Sequence, residues 1–131
     1  MTNHATSTFE ITVWEPAEFD NHDGVTLTRT HVAKVFQGDL VGESTAELLM
    51  AGAASGSAVY VGLERISGNL GGRSGSFVLV HNAAMASDVQ FLTLSIMRDS
   101  GTSELQGIRG EGTITIAPDG GHTLLLDYDF D

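Results

Sequence analysis

The sequence predicts an all-β domain in which eight antiparallel strands close into a single barrel, with one short helical turn. Two observations and one physical argument carry this. Strand-like stretches recur at short, regular spacing along the 131 residues, with no long helical period between them. Sixteen glycines, many of them inside those stretches, favour strong bending and close backbone approach over a flat sheet. Closure is then the favoured arrangement, because it removes the unpaired edges that template aggregation.

In the first stretch Phe9, Ile11 and Val13 alternate with Thr8, Glu10 and Thr12, as a half-buried strand requires. This strand is expected to end near Pro16, with EPAEFDNHDG, from Glu15 to Gly24, as an exposed loop. The alternation resumes in VTLTRTHVAKVFQG from Val25. One face carries Leu27, Arg29, His31, Ala33 and Val35, the other Thr26, Thr28, Thr30, Val32, Lys34 and Phe36, and neither is cleanly apolar. Branching at the β-carbon of the threonines and valines nevertheless suits a pleated strand.

From Leu40 to Ala51, Ser44 could cap a helix with Glu47 at its third position. The loop signals on either side, Gly38-Asp39 and GAASGS, instead fit a meander of hairpins, and a third strand is expected. The fourth runs from Ala58 to Gly68 and the fifth from Gly72 to Ala84, turning at Asn69-Leu70-Gly71. A sixth follows from Val89 to Met97. After Arg98 the segment DSGTSELQGIRGEG changes character, and TSELQGI is long enough for one helical turn that plugs an end of the barrel. Strands seven and eight, from Gly112 to Ala117 and from His122 to Phe130, meet at PDGG, a strong hairpin signal.

Length sets one domain, residues 1–131, with about two thirds of the unfolded surface buried. Six Lys plus Arg against seventeen Asp plus Glu give a net charge of -11, which repels nucleic acid and anionic lipid and excludes both as expected partners. Solubility accounts for so acidic a surface. Cysteine is absent, so no disulfide or thiolate metal site contributes. The start, MTNHATSTFEIT, lacks the basic and apolar segments of a secretory signal, and no stretch approaches the ~20 apolar residues of a membrane span. A cytoplasmic protein is expected.

Three segments, GLERISGNLGGRSGSFVLVH (Gly62–His81), ELQGIRGEG (Glu104–Gly112) and LDYDFD (Leu126–Asp131), resemble a bacterial family known as domain of unknown function 3224. A fainter match, ATSTFEITVWE, lies near the start, so the resemblance spans the chain. It implies a barrel of the allene oxide cyclase-like type, shared with plant dirigent proteins, around a central cavity. GTSELQGIRG is similar to the dirigent pattern of a glycine-threonine turn followed by an arginine-glycine pair. The family lends no reaction.

Candidate chemistry centres on the hairpin of strands four and five. Tyr60, Gly62 and Glu64 share one face of a strand, and Phe77, Leu79 and His81 share one face of its neighbour. If these are the same face, a phenol, an imidazole and a carboxylate meet inside an apolar lumen. Such a trio suits general acid–base chemistry, with burial raising the carboxyl pKa; a structural polar cluster at a barrel mouth is the other account. Arg65 points away from Glu64. Arg73, in GGRSGS, Arg98 and Arg109, in GIRGEG, are candidates for holding a ligand anion through a forked guanidinium or, structurally, for anchoring turns. His4, His22, His31, His81 and His122 show no metal-ligand spacing, and Asp127, Asp129 and Asp131 alternate on an outward face, so no metal and no cofactor is expected. Nucleotide fingerprints and nucleophile elbows are absent. Trp14 either lines the barrel mouth or caps the core.

Two functions fit. One is a barrel whose lumen binds a small apolar or amphipathic molecule, with an isomerase or cyclase activity added by fold analogy. The other is a non-catalytic module, its lumen filled, that forms a homo-oligomer through exposed strands. A cavity of about 300 Å³ or more separates the first from the second.

Overall fold

The computed structural model describes residues 2–131. Eight strands follow one another around a closed antiparallel barrel: β1 (Asn3–His22), β2 (Val25–Gly38), β3 (Leu40–Ala53), β4 (Ala58–Leu70), β5 (Arg73–Met85), β6 (Gln90–Ile96), β7 (Ile108–Ile116) and β8 (His122–Phe130). β8 returns to β1, pairing His122 with Phe9 and Tyr128 with Asn3, which completes the ring. The expected barrel and its helical turn are both present. The turn is a 3-10 segment, Ser103–Leu105, and Leu40–Ala53 is a strand throughout.

One end of the barrel is filled. Leu40, Ile66, Leu70, Phe77 and Ile108 project inward there, each at most 2% exposed, and the 3-10 turn lays Leu105 over them. Its approach depends on Gly75, where a Cβ would stand 2.2 Å from the Thr102 carbonyl oxygen. Gly75 pairs with Gly68, and Gly68 with Gly42, so an inward row of glycines crosses three strands and lets them bend over the plug. β6 covers only the far half of β5. The near half is satisfied by the loop that follows: Ser100, Thr102 and Glu104 side chains accept hydrogen bonds from the backbone N–H groups of Val78, Ser76 and Ser74.

The other end is open. β6 and β7 are joined only at Leu94–Gly112 and Ser95–Glu111, so they splay apart toward the mouth. β1 does not stop near Pro16 as expected; it continues to His22 in register with β2. The chain tolerates proline there because β1 beyond Phe9 is an edge with no β8 partner. Pro16, two register shifts and the acids Glu10, Glu15, Glu18 and Asp20 blunt that edge against pairing with another chain. The first shift, between Ile11 and Val13, also reverses the alternation: Trp14 rather than Val13 pairs with inward Val32 and reaches the mouth. The hairpin turn between β4 and β5 falls on Gly71-Gly72, one step later than the expected Asn69-Leu70-Gly71. Both glycines have positive φ, 58° and 92°, which the two-residue turn demands.

Candidate functional site at the barrel mouth

Four neighbouring strands contribute one inward residue or more to a polar chain within the lumen. On β4 and β5, His81 lies opposite Gly62, which places Tyr60 and Glu64 on the two diagonals beside it. On β2 and β3, Lys34 lies opposite Ser44, whose own diagonal neighbour across β4 is Glu64. Glu64 is 1% exposed, His81 2%, Ser44 4% and Lys34 7%.

Glu64 is the hub. Its Oε1 accepts from His81 Nε2 at 2.7 Å and from Lys34 Nζ at 3.3 Å, and its Oε2 accepts from the Ser44 hydroxyl at 2.6 Å. A carboxylate only accepts, so His81 Nε2 carries the proton. In the neutral ring Nδ1 is then bare and accepts the Tyr60 hydroxyl at 3.2 Å. The ammonium of Lys34 also sits 4.7 Å over the ring of Phe9. Every buried polar side-chain atom among the described residues has a partner.

These contacts reverse one expectation. Burial pushes the Glu64 carboxyl up, but the His81 hydrogen bond, the Lys34 charge and the Ser44 hydroxyl together hold it below its ordinary value. Glu64 is therefore an ionised anchor rather than an acid. Tyr60 moves the other way: partial burial and the nearby Glu64 charge raise its pKa, which keeps the phenol protonated and a donor.

Above the chain lies a cavity of about 160 Å³ lined mainly by apolar side chains, among them Phe9, Trp14, Leu48 and Met50, with Lys34, Tyr60, His81 and His122 as its polar members. It does not reach the ~300 Å³ that separates a ligand lumen from a filled module: the barrel below is packed solid, and only the mouth is left open. It matches a single ring-sized group, since an apolar cavity of about 150 Å³ accommodates benzene. Met50, Tyr60 and Ile114 also line a groove of about 630 Å³ at the splayed β6–β7 rim, into which a longer molecule can extend.

The structure thus brings Tyr60, Glu64 and His81 together and leaves the candidate arginines outside the lumen. Arg73 stacks on Phe130, 4.2 Å from the ring centroid. Arg98 reaches Asp131 at 3.4 Å, and Arg109 lies 3.6 Å from Asp131 and 3.9 Å from Asp129; both tie down the C-terminal strand. Arg65 is exposed on the outer face. Among the described residues no three His, Asp or Glu side chains converge in a way that would hold a metal. Sequence reasoning missed Lys34 and Ser44. The available signal was phase: Lys34 alternates with Val32 and Phe36, and a lysine in an apolar row is buried only when paired.

A closed antiparallel barrel with a packed floor and a hydrogen-bonded ionic chain beneath an apolar mouth defines the class: a small β-barrel filled at one end and open at the other. The chain belongs to the DUF3224 family, described as proteins of unknown function, whose match covers residues 5–128. It is similar to a crystal structure of a DUF3224 protein of unknown function from Shewanella oneidensis MR-1, with 35% identity, a TM-score of 0.92, and coverage of 100% of this chain and 98% of that one. No curated protein matches.

Proposed function

We propose that the barrel binds a small apolar molecule bearing a carbonyl oxygen at its mouth and shuttles a proton on it, as an isomerase or cyclase does. The observation that carries this is the continuous chain from Tyr60 through His81 to Glu64, ending at the cavity wall. In the forward step the Tyr60 oxygen takes a proton from the carbon next to the ligand carbonyl, while the phenol's own proton passes to His81 Nδ1. The carbon–hydrogen electron pair becomes a carbon–carbon double bond and the carbonyl oxygen becomes an enolate, which the Lys34 ammonium stabilises. Glu64 stabilises the imidazolium that forms, the role a buried carboxylate plays behind a catalytic histidine. Return of the proton to a different carbon completes an isomerisation. The allene oxide cyclase-like resemblance supports this reaction class as a fold analogy.

The test is a panel of small cyclic and aromatic ketones and oxylipins in D₂O. A ligand at a hundred times its dissociation constant stabilises the fold by about 2.7 kcal/mol. Its protons next to the carbonyl are expected to exchange on NMR, and Tyr60→Phe to keep the thermal shift while slowing exchange by ~10²-fold or more. Neither shift nor exchange across the panel contradicts the proposal, and undiminished exchange in Tyr60→Phe contradicts the relay.

A further inference from the structure

Strands β4 and β5 carry apolar side chains on both faces. The lumen accounts for the inner one. On the outside, Val59, Val61 and Leu63 of β4, Leu49 of β3, Phe91 and Met97 are 47–60% exposed. Strand register makes these one surface: Leu49 pairs with Val61, Leu63 with Val80, and Val59 with Ala84, which pairs with Phe91. Six half-exposed apolar side chains present on the order of 500 Å², the size at which a patch marks an interaction site, and approach the ~800 Å² that each partner gives to a standard interface.

We infer that this face is the contact between two copies of the chain, paired about a two-fold axis. Shape is the first argument. Leu63, at 60% the most exposed of the six, lines two hollows, one of about 560 Å³ with Leu49, Val61 and Val80, the other of about 300 Å³ with Val78 and Met97. It is a ridge between two grooves, and a face carrying both knob and hole is self-complementary, as a two-fold contact requires. Charge is the second. The outward positions of β4, β5 and β6 contain no Asp or Glu in a chain of net charge -11, and the one acid that lines the two hollows, Glu47 of β3, is paired with Arg29 and His31. The acids concentrate on β1 (Glu10, Glu15, Glu18, Asp20) and β8 (Asp127, Asp129), which lie across the ring from β4 and β5. Two such molecules meet with least repulsion through β4 and β5, acidic sides outward. The β1 edge, with Pro16 and its acids, is not a competing surface.

Sedimentation equilibrium and light scattering on the purified chain at tens of micromolar test this. The expected mass is twice the 13.8 kDa of one chain. Leu63→Glu and Val80→Glu are each expected to give a monomer with an unchanged circular dichroism spectrum, while Phe19→Ser, on the β1 edge, leaves the dimer intact. A monomeric or higher-order wild type, a dimer that survives both glutamates with the fold intact, or a dimer lost in Phe19→Ser overturns the assignment.

Discussion

Glu64→Leu is expected to destabilise the fold by about 3–5 kcal/mol, because it strands the Lys34 ammonium and the His81 Nε2–H in the lumen with no carboxylate. In a domain of this length that lowers Tm by roughly 10–20 °C. The double variant Lys34→Met/Glu64→Leu is expected to recover the part of the loss due to the stranded ammonium, while the His81 Nε2–H and the Ser44 hydroxyl still lack the carboxylate. Urea unfolding of the two single variants and the double variant measures the coupling. A cost under ~1 kcal/mol for Glu64→Leu, the behaviour of an exposed pair, would contradict the geometry. The same hub sets a pH dependence. The folded Glu64 pKa lies below the ordinary 4.5, so its stabilising contribution is complete above that value and is lost as pH falls through the lower folded value. The stability gap between wild type and Glu64→Gln therefore narrows in acid.

Phe77→Ala is expected to cost about 3–5 kcal/mol, the range for deleting a buried aromatic from a core that cannot collapse around the void. Phe77 is fully buried at the closed end, under the plug formed by Leu105. Ile114→Ala, at the open end, is expected to cost less than half as much, because Ile114 is only partly buried and faces the cavity and groove. It also widens the space available to a ligand. Thermal unfolding distinguishes the two ends. Equal losses from both substitutions would mean that the mouth is packed as tightly as the floor, leaving no room for a bound molecule.

Much of the fold was legible because apolar alternation is a local signal. The grouping of Phe77, Leu79 and His81 on one strand and of Tyr60, Gly62 and Glu64 on the next was legible, the register then made the two groups one face, and PDGG marked the last hairpin. β1 was misjudged past Pro16 because a proline and a run of charges read as a loop, and only the missing β8 partner makes a strand possible there. The shift at Ile11 and Val13 leaves no mark in the sequence, so Val13 was placed on the face that Trp14 shares with the mouth.

For the site, the trio was legible but its chemistry was not. The direction of the Glu64 pKa depends on Ser44 and Lys34, which lie 20 and 30 residues away in the chain and reach Glu64 only through strand register. Lys34 shares a row with Val32 and Phe36, but nothing local shows that an acid lies two strands away to pair with it.

The most direct test of the phenol–imidazole–carboxylate chain is ¹⁵N NMR of His81 near neutral pH. The account predicts a neutral ring with the proton on Nε2 and a bare Nδ1 whose signal moves in Tyr60→Phe. A proton on Nδ1, or a signal indifferent to the loss of the Tyr60 hydroxyl, would contradict it.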